Sequence, residues 1–426
     1  MKALLFERQL ARFAAARVVA VVAGSGRGVS VGPLRLAEID KPELPGEGWC
    51  RVRPRLAGIC GSDLATLDAA SSRYFEQIVS FPFVPGHEVV GDVEGGALDG
   101  KRVVIEPVLG CLARAIDPPC AACAGGHKGC CERIAFGHLQ PGLQTGYCAD
   151  TGGGWSAGLV AHESQLHVVP DELSDEAAVI VEPAACAIHA ALSAEHALAG
   201  ARVVVLGAGT LGLLVVAALR QFALPASILS IAKHPHQCRL AAELGADVVA
   251  EPGELRRAVR RQTGSLALSR AGSAGEIERL TGGADVVFDC VGSSHSLSEC
   301  LAVTRACGRI VLVGMPGLVR VDLAPLWQRE IVLAGAYAYG AETRPEGERS
   351  TFDLAFELVA AADLGRLVSG HYPLECYEEA LEQAGNAGQR GAVKLVFDLR
   401  RPAPRPGTRA RQDPHRSPRD TGGAST

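Results

Sequence analysis

The sequence predicts an α/β protein in which a doubly wound parallel sheet is joined to a second, β-rich domain. Residues 171–335 alternate apolar strand-like runs with Ala- and Leu-rich helical stretches, and this alternation is typical of right-handed βαβ units. Residues 1–170 instead carry short strand-like runs separated by Gly and Pro, which indicates antiparallel strands joined by turns. With 426 residues, the chain is long enough for two domains, each with its own core.

Individual elements are predicted from runs of β-branched or helix-forming residues. In the first domain, four runs predict strands: RVVAVVA, CRVRPRLAG, EVVGDVE and RVVIEPV. In the second domain, strands and helices are predicted to alternate over RVVVLGAG, LGLLVVAALRQF, SILSIA, HQCRLAAELGA, DVVFDCVG and GRIVLVG. The helix-like FDLAFELVAAA and YEEALEQAG and the strand-like AVKLVFDL then predict that residues 336–400 return to complete the first domain.

Two segments are predicted to be peripheral. Residues 256–275 form a polar, Gly- and Ser-rich stretch between a helix and a strand, and residues 401–426 are rich in Pro, Arg and Gly. The second segment is expected to be disordered. It carries six Arg and two Asp, so the net charge of −5 leaves the remaining residues at −9. An acidic body with a short basic tail does not suit nucleic-acid binding.

Composition also sets expectations about the compartment. No apolar run approaches the ~18 residues that a membrane span requires, and charged residues interrupt the apolar stretch near the N-terminus. We therefore expect neither a signal peptide nor association with a membrane. Fourteen cysteines in a long chain of this kind are expected to be reduced thiols, which predicts a cytoplasmic protein.

A glycine-rich turn follows the first strand-like run of the second domain. Gly207, Gly209 and Gly212 come directly after RVVVL and open the stretch LGLLVVAAL, which is the context in which G-x-G-x-x-G binds a dinucleotide. The glycines permit a tight turn, close approach of a pyrophosphate and close helix–strand packing. The helix N-terminus, at Thr210 and Leu211, then faces the phosphates. The pattern predicts a Rossmann domain, and the alternative is a tight turn in an unrelated α/β protein.

The end of the next predicted strand favours NADP over NAD. An acid about 20 residues beyond the glycines would hold the ribose 2′-hydroxyl of NAD, but that position is Ala232, and no Asp or Glu occurs between Gln221 and Ala242. Lys233 and His234 follow, and a cation there can pair with a 2′-phosphate. The alternative is that Lys233 is a solvated turn residue and that both cofactors bind.

Residues of the types that bind zinc in proteins occur in the first domain and at its border. Cys60 lies in GICGSD, His87 and Glu88 follow in PGHE, and Glu182 opens a helical stretch. Zinc binds sulfur, nitrogen and oxygen ligands tetrahedrally, and a catalytic zinc keeps one position open for water or substrate. Cys60 and His87, with either Glu182 or Glu88, would fill three positions. Any one of these residues alone would more simply be a packed core residue.

Several of these motifs together resemble the zinc-containing medium-chain dehydrogenases, the alcohol, polyol and threonine dehydrogenase group, up to about Arg400: GICGSD, PGHEVVG, EPAACAIHA, VVVLGAGTLG and FDCVG. The resemblance implies a GroES-like catalytic domain over 1–170, the Rossmann domain over 171–335 and a return to the catalytic domain over 336–400. It implies that Cys60 and His87 bind a catalytic zinc and that Glu182 or Glu88 is the third protein ligand. A homodimer or homotetramer acting on a small alcohol or carbonyl compound is also implied.

The resemblance assigns supporting roles beside Cys60. Ser62 stands where the family has a Ser or Thr that relays the proton of the substrate hydroxyl, and Asp63 stands where an acid orients the zinc-bound His. The family often continues the relay with a His three residues after the Ser or Thr. That position is Ala65 here, next to Thr66, so the proton must leave through water, the cofactor ribose or another group.

A second cysteine cluster resembles the structural zinc lobe of the family, C-x2-C-x2-C-x7-C. Cys120, Cys123 and Cys131 fit the last three positions, and the first position is Asp117. A carboxylate can bind zinc, so the predicted ligands are Asp117 and the three cysteines, with Cys111 or Cys130 as possible substitutes for Asp117. The alternative is a reduced loop without metal.

These patterns together predict a zinc-dependent oxidoreductase that transfers hydride between an alcohol, such as a polyol or amino alcohol, and NADP or NAD. Zinc would serve as Lewis acid and template, and the cofactor would carry the redox chemistry. An alternative is a catalytically silent NADP-binding protein with a redox-sensing or structural role, against which the intact Cys60, Ser62, Asp63 and His87 argue. Enoyl reduction in the same fold fits less well, because relatives that catalyse it usually lack this set of zinc ligands.

Overall fold

The computed structural model describes residues 1–268 and 278–400. Two sheets organise this part of the chain: one of six strands, called here the parallel sheet, and one of seven strands, called here the mixed sheet. Two core helices, α5 (Val181–Leu192) and α6 (Thr210–Ala218), are almost entirely buried. The largest buried cluster combines Val90 of the mixed sheet, Ile188 of α5 and Val205 of the parallel sheet. Helix α5 therefore packs in one core with both sheets.

The parallel sheet consists of β8 (Arg202–Leu206), β9 (Ser227–Ile231), β10 (Val248–Ala250), β13 (Ala284–Asp289), β14 (Thr304–Leu312) and β15 (Val332–Gly335). All its pairings are parallel, in the order β10-β9-β8-β13-β14-β15. This order is that of a Rossmann fold. Its other helices are α7 (Pro235–Glu243), α8 (Leu255–Thr263), α9 (Ser294–Val303) and α10 (Ala324–Gln328). The predicted α/β fold with a doubly wound parallel sheet is confirmed.

The mixed sheet consists of β3 (Trp49–Gly58), β4 (Val89–Glu94), β5 (Arg102–Ile105), β6 (Leu159–His162), β7 (Leu166–Val168), β18 (Val368–Tyr372) and β19 (Lys394–Asp398). Its order is β18-β19-β3-β4-β5-β7, and β6 also pairs with β3. Only β18 and β19 run parallel; the other pairings are antiparallel. Strand β19, from the last described part of the chain, thus lies directly beside β3.

The remaining elements surround these two sheets. Helices α11 (Thr351–Ala361) and α12 (Tyr377–Gly385) coincide with the two stretches that were predicted to be helical. The others are β1 (Lys2–Phe6), β2 (Leu34–Glu38), α2 (Gly61–Leu67), α3 (Ala121–Ala124), α4 (Asp175–Ala178), β11 (Ala267–Leu268), β12 (Arg279–Leu280), β16 (Ala341–Arg344) and β17 (Gly347–Ser350). None of the helices in the two described ranges is both long and apolar enough to cross a membrane.

The run RVVAVVA, predicted to be a strand, is instead the C-terminal half of helix α1 (Leu10–Ala23). The preceding LARFAAA consists mostly of strong helix formers, and no Gly or Pro separates it from the valines. A helix that has already formed adds residues at little cost, so it continues through the β-branched residues. It ends at Gly24, whose φ is 109°.

The prediction of a peripheral, irregular stretch over 256–275 is wrong for its first part. Residues 255–263 form α8, which buries Leu255 and Val259 against the parallel sheet. The two apolar residues are four positions apart and therefore share one face of the helix, while four arginines occupy other faces. Residues 269–277 lie outside the described residues, and so does the tail 401–426, whose disorder stays a prediction.

Candidate active site

Cys60, His87 and Glu88 meet at one edge of the mixed sheet. Cys60 follows β3, and His87 and Glu88 immediately precede β4, which pairs antiparallel with β3. In an antiparallel pair the end of one strand lies beside the start of the next. The Cys60 sulfur, a His87 ring nitrogen and a Glu88 carboxylate oxygen accordingly lie within 4.8 Å of one another.

Asp63 lies next to both Cys60 and His87. Cys60 is the N-cap residue of α2, and its backbone N–H donates to Asp63 Oδ2 at 3.0 Å, as in a capping box. The other oxygen, Oδ1, lies 3.4 Å from His87 Nδ1, a buried nitrogen that makes no hydrogen bond within residues 1–268 and 278–400. Burial opposes the charged form of His87, but the Asp63 carboxylate outweighs it and raises the pKa of His87 well above its usual range. Asp63 therefore occupies the position predicted for the acid that orients the imidazole.

Glu88 is paired with a lysine from the far end of the chain. Lys394 Nζ donates to both Glu88 carboxylate oxygens, at 2.6 and 2.7 Å, and to the Ile59 carbonyl at 3.3 Å. Both side chains are at most 3% exposed. The Glu88 side chain crosses Gly58 so closely that a Cβ there would lie 1.9 Å from Oε2. The sequence interpretation did not find Lys394, although a lysine inside the apolar run AVKLVFDL is a recognisable sign of a buried ion pair.

Glu182 provides a second buried carboxylate. It lies in the first turn of α5 and is 5% exposed. Burial raises its pKa to about 7; His87 and Lys394 act in the opposite direction, and Glu88 adds to the increase. Its Oε1 accepts a hydrogen bond from the Cys186 thiol at 3.6 Å, one helical turn further on. Glu88 and Glu182 thus lie in the same buried region, and the charge of Glu88 contributes to the raised pKa of Glu182.

Tyr147 also belongs to this site and was missed by sequence reasoning. Its hydroxyl donates to Asp63 Oδ1 at 3.3 Å and lies 3.3 Å from Thr66 Oγ1. Its ring centroid is 6.0 Å from that of His87. Burial, and then the Asp63 carboxylate, raise the pKa of Tyr147 well above its usual range, and hydrogen bonds from Thr66 and Ser62 partly offset this increase. No motif surrounds Tyr147, so only the folded chain identifies it.

The second cysteine cluster contains four sulfur atoms within 4.8 Å of one another, those of Cys111, Cys120, Cys123 and Cys131. The Cys131 sulfur is 3.7 Å from that of Cys111 and 4.0 Å from that of Cys120. Tetrahedral zinc with bonds of ~2.3 Å places sulfur atoms about 3.8 Å apart. All fourteen cysteines of the chain are free thiols, so these four are available as ligands.

The prediction that Asp117 is the first residue of this group needs correction. Asp117 is exposed and lies outside the group. Tight turns bring Cys111 back instead: the Ile116 N–H donates to the Cys111 carbonyl at 3.0 Å, and the Cys120 N–H lies 3.3 Å from the Cys111 sulfur. The buried Arg114 donates to the Leu109 carbonyl and to four carbonyls of residues 136–142, and so joins this turn to that segment. Motif spacing cannot show such a turn, because it compares only the distances along the chain.

The glycine-rich turn has the geometry that a dinucleotide site needs. Gly209 is the N-cap residue of α6, and a Cβ at this position would meet nothing within 4 Å. A Cβ at Gly212 would lie 1.7 Å from the Gly207 carbonyl oxygen, so only glycine permits this helix–strand contact. The Thr210 hydroxyl donates to the Val393 carbonyl at 3.4 Å. Residues before β19 therefore pack against the N-terminus of α6.

The end of β9 is basic. Ala232 is buried, Lys233 is exposed, and His234 is the residue at the N-cap position of α7. The rings of His234 and His236 stack with centroids 6.0 Å apart, and burial followed by the charge of Lys233 lowers the pKa of His234. Within the ranges that the structure covers, Lys233 makes neither an ion pair nor a hydrogen bond. Its ammonium group is therefore free to meet an anion.

Comparison with known proteins agrees with this geometry. Residues 46–171 match the alcohol dehydrogenase GroES-like domain, and residues 210–361 match the zinc-binding dehydrogenase domain. The chain is 30% identical over 351 residues to L-idonate 5-dehydrogenase (NAD(P)(+)) of Escherichia coli, covering 80% of this chain and 89% of that protein. It is 29% identical over 363 residues to sorbitol dehydrogenase of Arabidopsis thaliana, covering 82% and 88%.

A solved structure shows the same architecture. The crystal structure of L-idonate 5-dehydrogenase from Escherichia coli superposes with a TM-score of 0.63 at 27% identity, covering 86% of this chain and 94% of that one. The matches extend into both domains; the first covers the segment that carries Cys60, His87 and Glu88, and the second begins at Thr210, inside the glycine-rich turn. The chain therefore belongs to the zinc-containing medium-chain dehydrogenase family and is an oxidoreductase of CH–OH groups.

Proposed function

We propose that this protein interconverts a polyol-like secondary alcohol and its ketone, with NADP(H), at a catalytic zinc held by Cys60, His87 and Glu88. The observation that carries the proposal is the approach of these sulfur, nitrogen and oxygen atoms to within 4.8 Å at the end of β3. Three such ligands leave the fourth tetrahedral position for the substrate oxygen. The names of the relatives, sorbitol and L-idonate dehydrogenases, support a polyhydroxylated substrate.

The residues of the site fit a divalent cation. Cys60, Asp63, Glu88 and Glu182 can all carry negative charge in a buried region, where an uncompensated charge is costly. In the part of the chain that the structure describes, the ion pair of Lys394 is with Glu88. When bound, zinc would supply Lewis acidity that favours the alkoxide form of the alcohol. We choose Glu88 over Glu182 as the third ligand because its oxygen is the one grouped with Cys60 and His87. Glu182 remains as a second carboxylate that can exchange with it.

The other residues of the chain orient the site and move the proton. Asp63 orients His87 through the contact at 3.4 Å and thereby fixes the ring position. Ser62, two residues after Cys60, is half-buried and is the proposed acceptor of the hydroxyl proton. Lys394 holds Glu88 against Gly58. The glycine-rich turn would bind the pyrophosphate at Gly207, Gly209, Thr210, Leu211 and Gly212.

A substrate panel tests the proposal. Purified protein would be incubated with sorbitol, xylitol, L-idonate and 2,3-butanediol, each with NADP⁺ or NAD⁺, while reduced cofactor is followed at 340 nm. We expect zinc-dependent oxidation of at least one polyol and loss of activity after chelation. A protein that binds the cofactor but neither oxidises any alcohol nor reduces any ketone would support the catalytically silent alternative. Nothing in the comparisons favours that alternative.

Cofactor choice is predicted from the end of β9. Lys233→Ala should weaken NADP binding by about 1.5–3 kcal/mol, the range for hydrogen bonds to charged groups, and should leave NAD binding almost unchanged. Ala232→Asp should reverse the preference, because a carboxylate accepts hydrogen bonds from the 2′-hydroxyl of NAD but repels a phosphate. Dissociation constants for both cofactors, measured by protein fluorescence, check this.

Arg239→Ala is the matched control for that experiment, since it removes an exposed cation from the adjacent helix α7. We expect it to leave both dissociation constants unchanged. A wild type that prefers NAD, or a Lys233→Ala variant that binds both cofactors equally weakly, would show that Lys233 is only a solvated turn residue.

The cysteine lobe is proposed to hold a second, structural zinc through Cys111, Cys120, Cys123 and Cys131. Elemental analysis should then find about two zinc per chain. Cys111→Ser should lower this to about one and lower the thermal midpoint, because zinc binding stabilises the folded lobe. Asp117→Ala should retain both ions. The opposite pattern, with zinc lost from Asp117→Ala but kept by Cys111→Ser, would restore the original ligand assignment.

The assembly and compartment are also proposals. A homodimer or homotetramer is supported by the family, and a cytoplasmic location by the free thiols of all fourteen cysteines. Light scattering coupled to size exclusion would give the oligomeric state directly.

A further inference from the structure

We propose that helix α1 docks the protein on anionic lipid surfaces. This inference is independent of the zinc site and of the cofactor. The expectation that the chain does not associate with a membrane was based on the length of its apolar runs, and that length decides only whether a segment can span a bilayer. A helix that lies among the lipid headgroups needs instead one apolar face with cationic residues beside it.

The outward face of α1 is apolar from its first residue to its last turn. Its large exposed side chains are Leu10, Val18, Val21 and Val22, which are 74%, 63%, 67% and 82% exposed. Two exposed alanines, at positions 11 and 14, lie between them. Positions 10, 14, 18, 21 and 22 share one side of a helix. A continuous apolar stripe on a protein surface marks a site that meets an apolar partner.

The opposite face of α1 fixes the helix on the first domain. Ala16 is fully buried, and a Cβ at Gly28 would lie 2.6 Å from the Ala16 carbonyl oxygen, so the turn after α1 packs directly on the helix. The Phe13 ring meets Phe6 of β1 edge to face, with centroids 6.3 Å apart. These contacts determine which side of α1 faces outward.

The charge around this face favours an anionic partner. Residues 8–37 contain five Arg and no Asp or Glu. Two of these arginines form ion pairs with acids outside the segment. Arg8, Arg12 and Arg17 are exposed and make no ion pair within the described ranges. Their long side chains can reach headgroup phosphates while the neighbouring valines enter the apolar layer.

A lipid surface fits this face better than a second protein does. A helix of 14 residues is about 21 Å long, and an outward strip about 10 Å wide covers roughly 200 Å². Counted on both partners, this area is far below the ~1,200 Å² of a stable protein interface. Two copies of α1 that face each other would also place six unpaired arginines around one contact. A lipid surface requires no such area, because a few inserted side chains and the attraction of anionic headgroups supply the affinity.

The test measures binding of the full-length protein to sucrose-loaded vesicles by co-sedimentation. The vesicles are pure phosphatidylcholine, or phosphatidylcholine with about 30% phosphatidylglycerol to provide an anionic surface. We expect the protein to sediment with the anionic vesicles, to stay in the supernatant with pure phosphatidylcholine, and to be released by added salt, which screens the charges.

Two sets of substitutions in α1 and just before it separate the apolar and the cationic contributions. Val18→Gln combined with Val22→Gln removes two exposed apolar side chains and should weaken binding by ~10-fold or more. Arg8→Gln, Arg12→Gln and Arg17→Gln together should weaken it by about 100-fold, because each arginine near an anionic surface contributes roughly fivefold. Circular dichroism and the thermal midpoint should stay unchanged, since these side chains are exposed and glutamine is a good helix former.

Each set has a matched control on the parallel-sheet domain. Leu224→Gln removes another exposed apolar side chain. Arg239→Gln, Arg257→Gln and Arg261→Gln together remove three exposed arginines and so change the net charge by the same amount as the arginine set near α1. Neither control should change vesicle binding.

A wild type that stays in the supernatant with both kinds of vesicle overturns the proposal. Light scattering then identifies the other occupant: an oligomer that dissociates in the valine variant assigns the face to a second copy of the chain, and an unchanged oligomer assigns it to a different protein. Equal binding to both kinds of vesicle overturns the recognition of anionic lipid. Variants of α1 that bind anionic vesicles as well as their controls do show that the lipid contact lies elsewhere, and the proposal is then also wrong.

Discussion

Cys60→Ala is expected to lower turnover by at least ~10³-fold, about 4 kcal/mol of transition-state stabilisation, in a protein that still folds and binds NADPH. Cys60 supplies the only sulfur of the group that it forms with His87 and Glu88, so its loss should remove the proposed catalytic zinc. Cofactor binding should persist because the glycine-rich turn follows β8 of the parallel sheet and contains none of the proposed zinc ligands. Zinc content, NADPH dissociation constants and steady-state rates of the purified variant check the three parts of this expectation.

Cys376→Ala is the matched control, since Cys376 is also a half-buried thiol of the first domain but lies outside both groups of potential metal ligands. It should retain zinc and activity. Near wild-type turnover in Cys60→Ala would rule out Cys60 as a ligand of a catalytic metal.

Lys394→Met is expected to lower the free energy of unfolding by about 3–5 kcal/mol, the usual cost of removing one partner of a buried ion pair. The methionine has a similar volume, so packing is largely kept, but Glu88 would be left charged and buried beside Glu182. Urea unfolding of the metal-free protein, followed by circular dichroism, measures the loss. The m-value of the variant is compared with that of the wild type, because only an unchanged m-value lets the shift in midpoint be read as a change in stability.

Two further variants distinguish an unpaired charge from a packing defect. Adding Glu88→Gln to Lys394→Met removes the buried charge and should recover most of the lost stability. Arg349→Met breaks an exposed pair with Glu357 and should cost less than about 1 kcal/mol. If the double variant is as unstable as Lys394→Met alone, the defect comes from packing and the electrostatic account is wrong.

The sequence predicts those features of the fold and the site that depend on residues close together along the chain. The alternation of apolar strands and helices predicted the parallel sheet, because burial between two layers of helices requires it. The glycines of VVVLGAGTLG predicted a close helix–strand turn, and the 1.7 Å approach at Gly212 shows why. Cys60 and His87 could be named as candidate ligands because GICGSD and PGHEVVG supply the sulfur and nitrogen atoms that zinc binds. The family and its oxidoreductase activity followed from these motifs.

Predictions from a single motif were wrong where residues just outside the motif decide the secondary structure or the metal ligand. RVVAVVA reads as a strand in isolation, but the alanine-rich stretch before it continues as a helix. Asp117 fits the spacing of the zinc lobe, yet the turn after Cys111 brings that thiol to Cys120 instead. In both cases the deciding interaction lies just outside the motif.

The sequence by itself therefore determined the fold, the motifs of the candidate zinc ligands and of the glycine-rich turn, and the oxidoreductase chemistry to which both point. Only the tertiary structure decided which distant residues complete the site. Lys394 reaches Glu88 across 306 positions because β19 pairs beside β3, and Tyr147 reaches Asp63 across 84. Periodicity and motif spacing describe what one segment can do alone. The compensation of a buried charge, by contrast, depends on which strands and turns pack together.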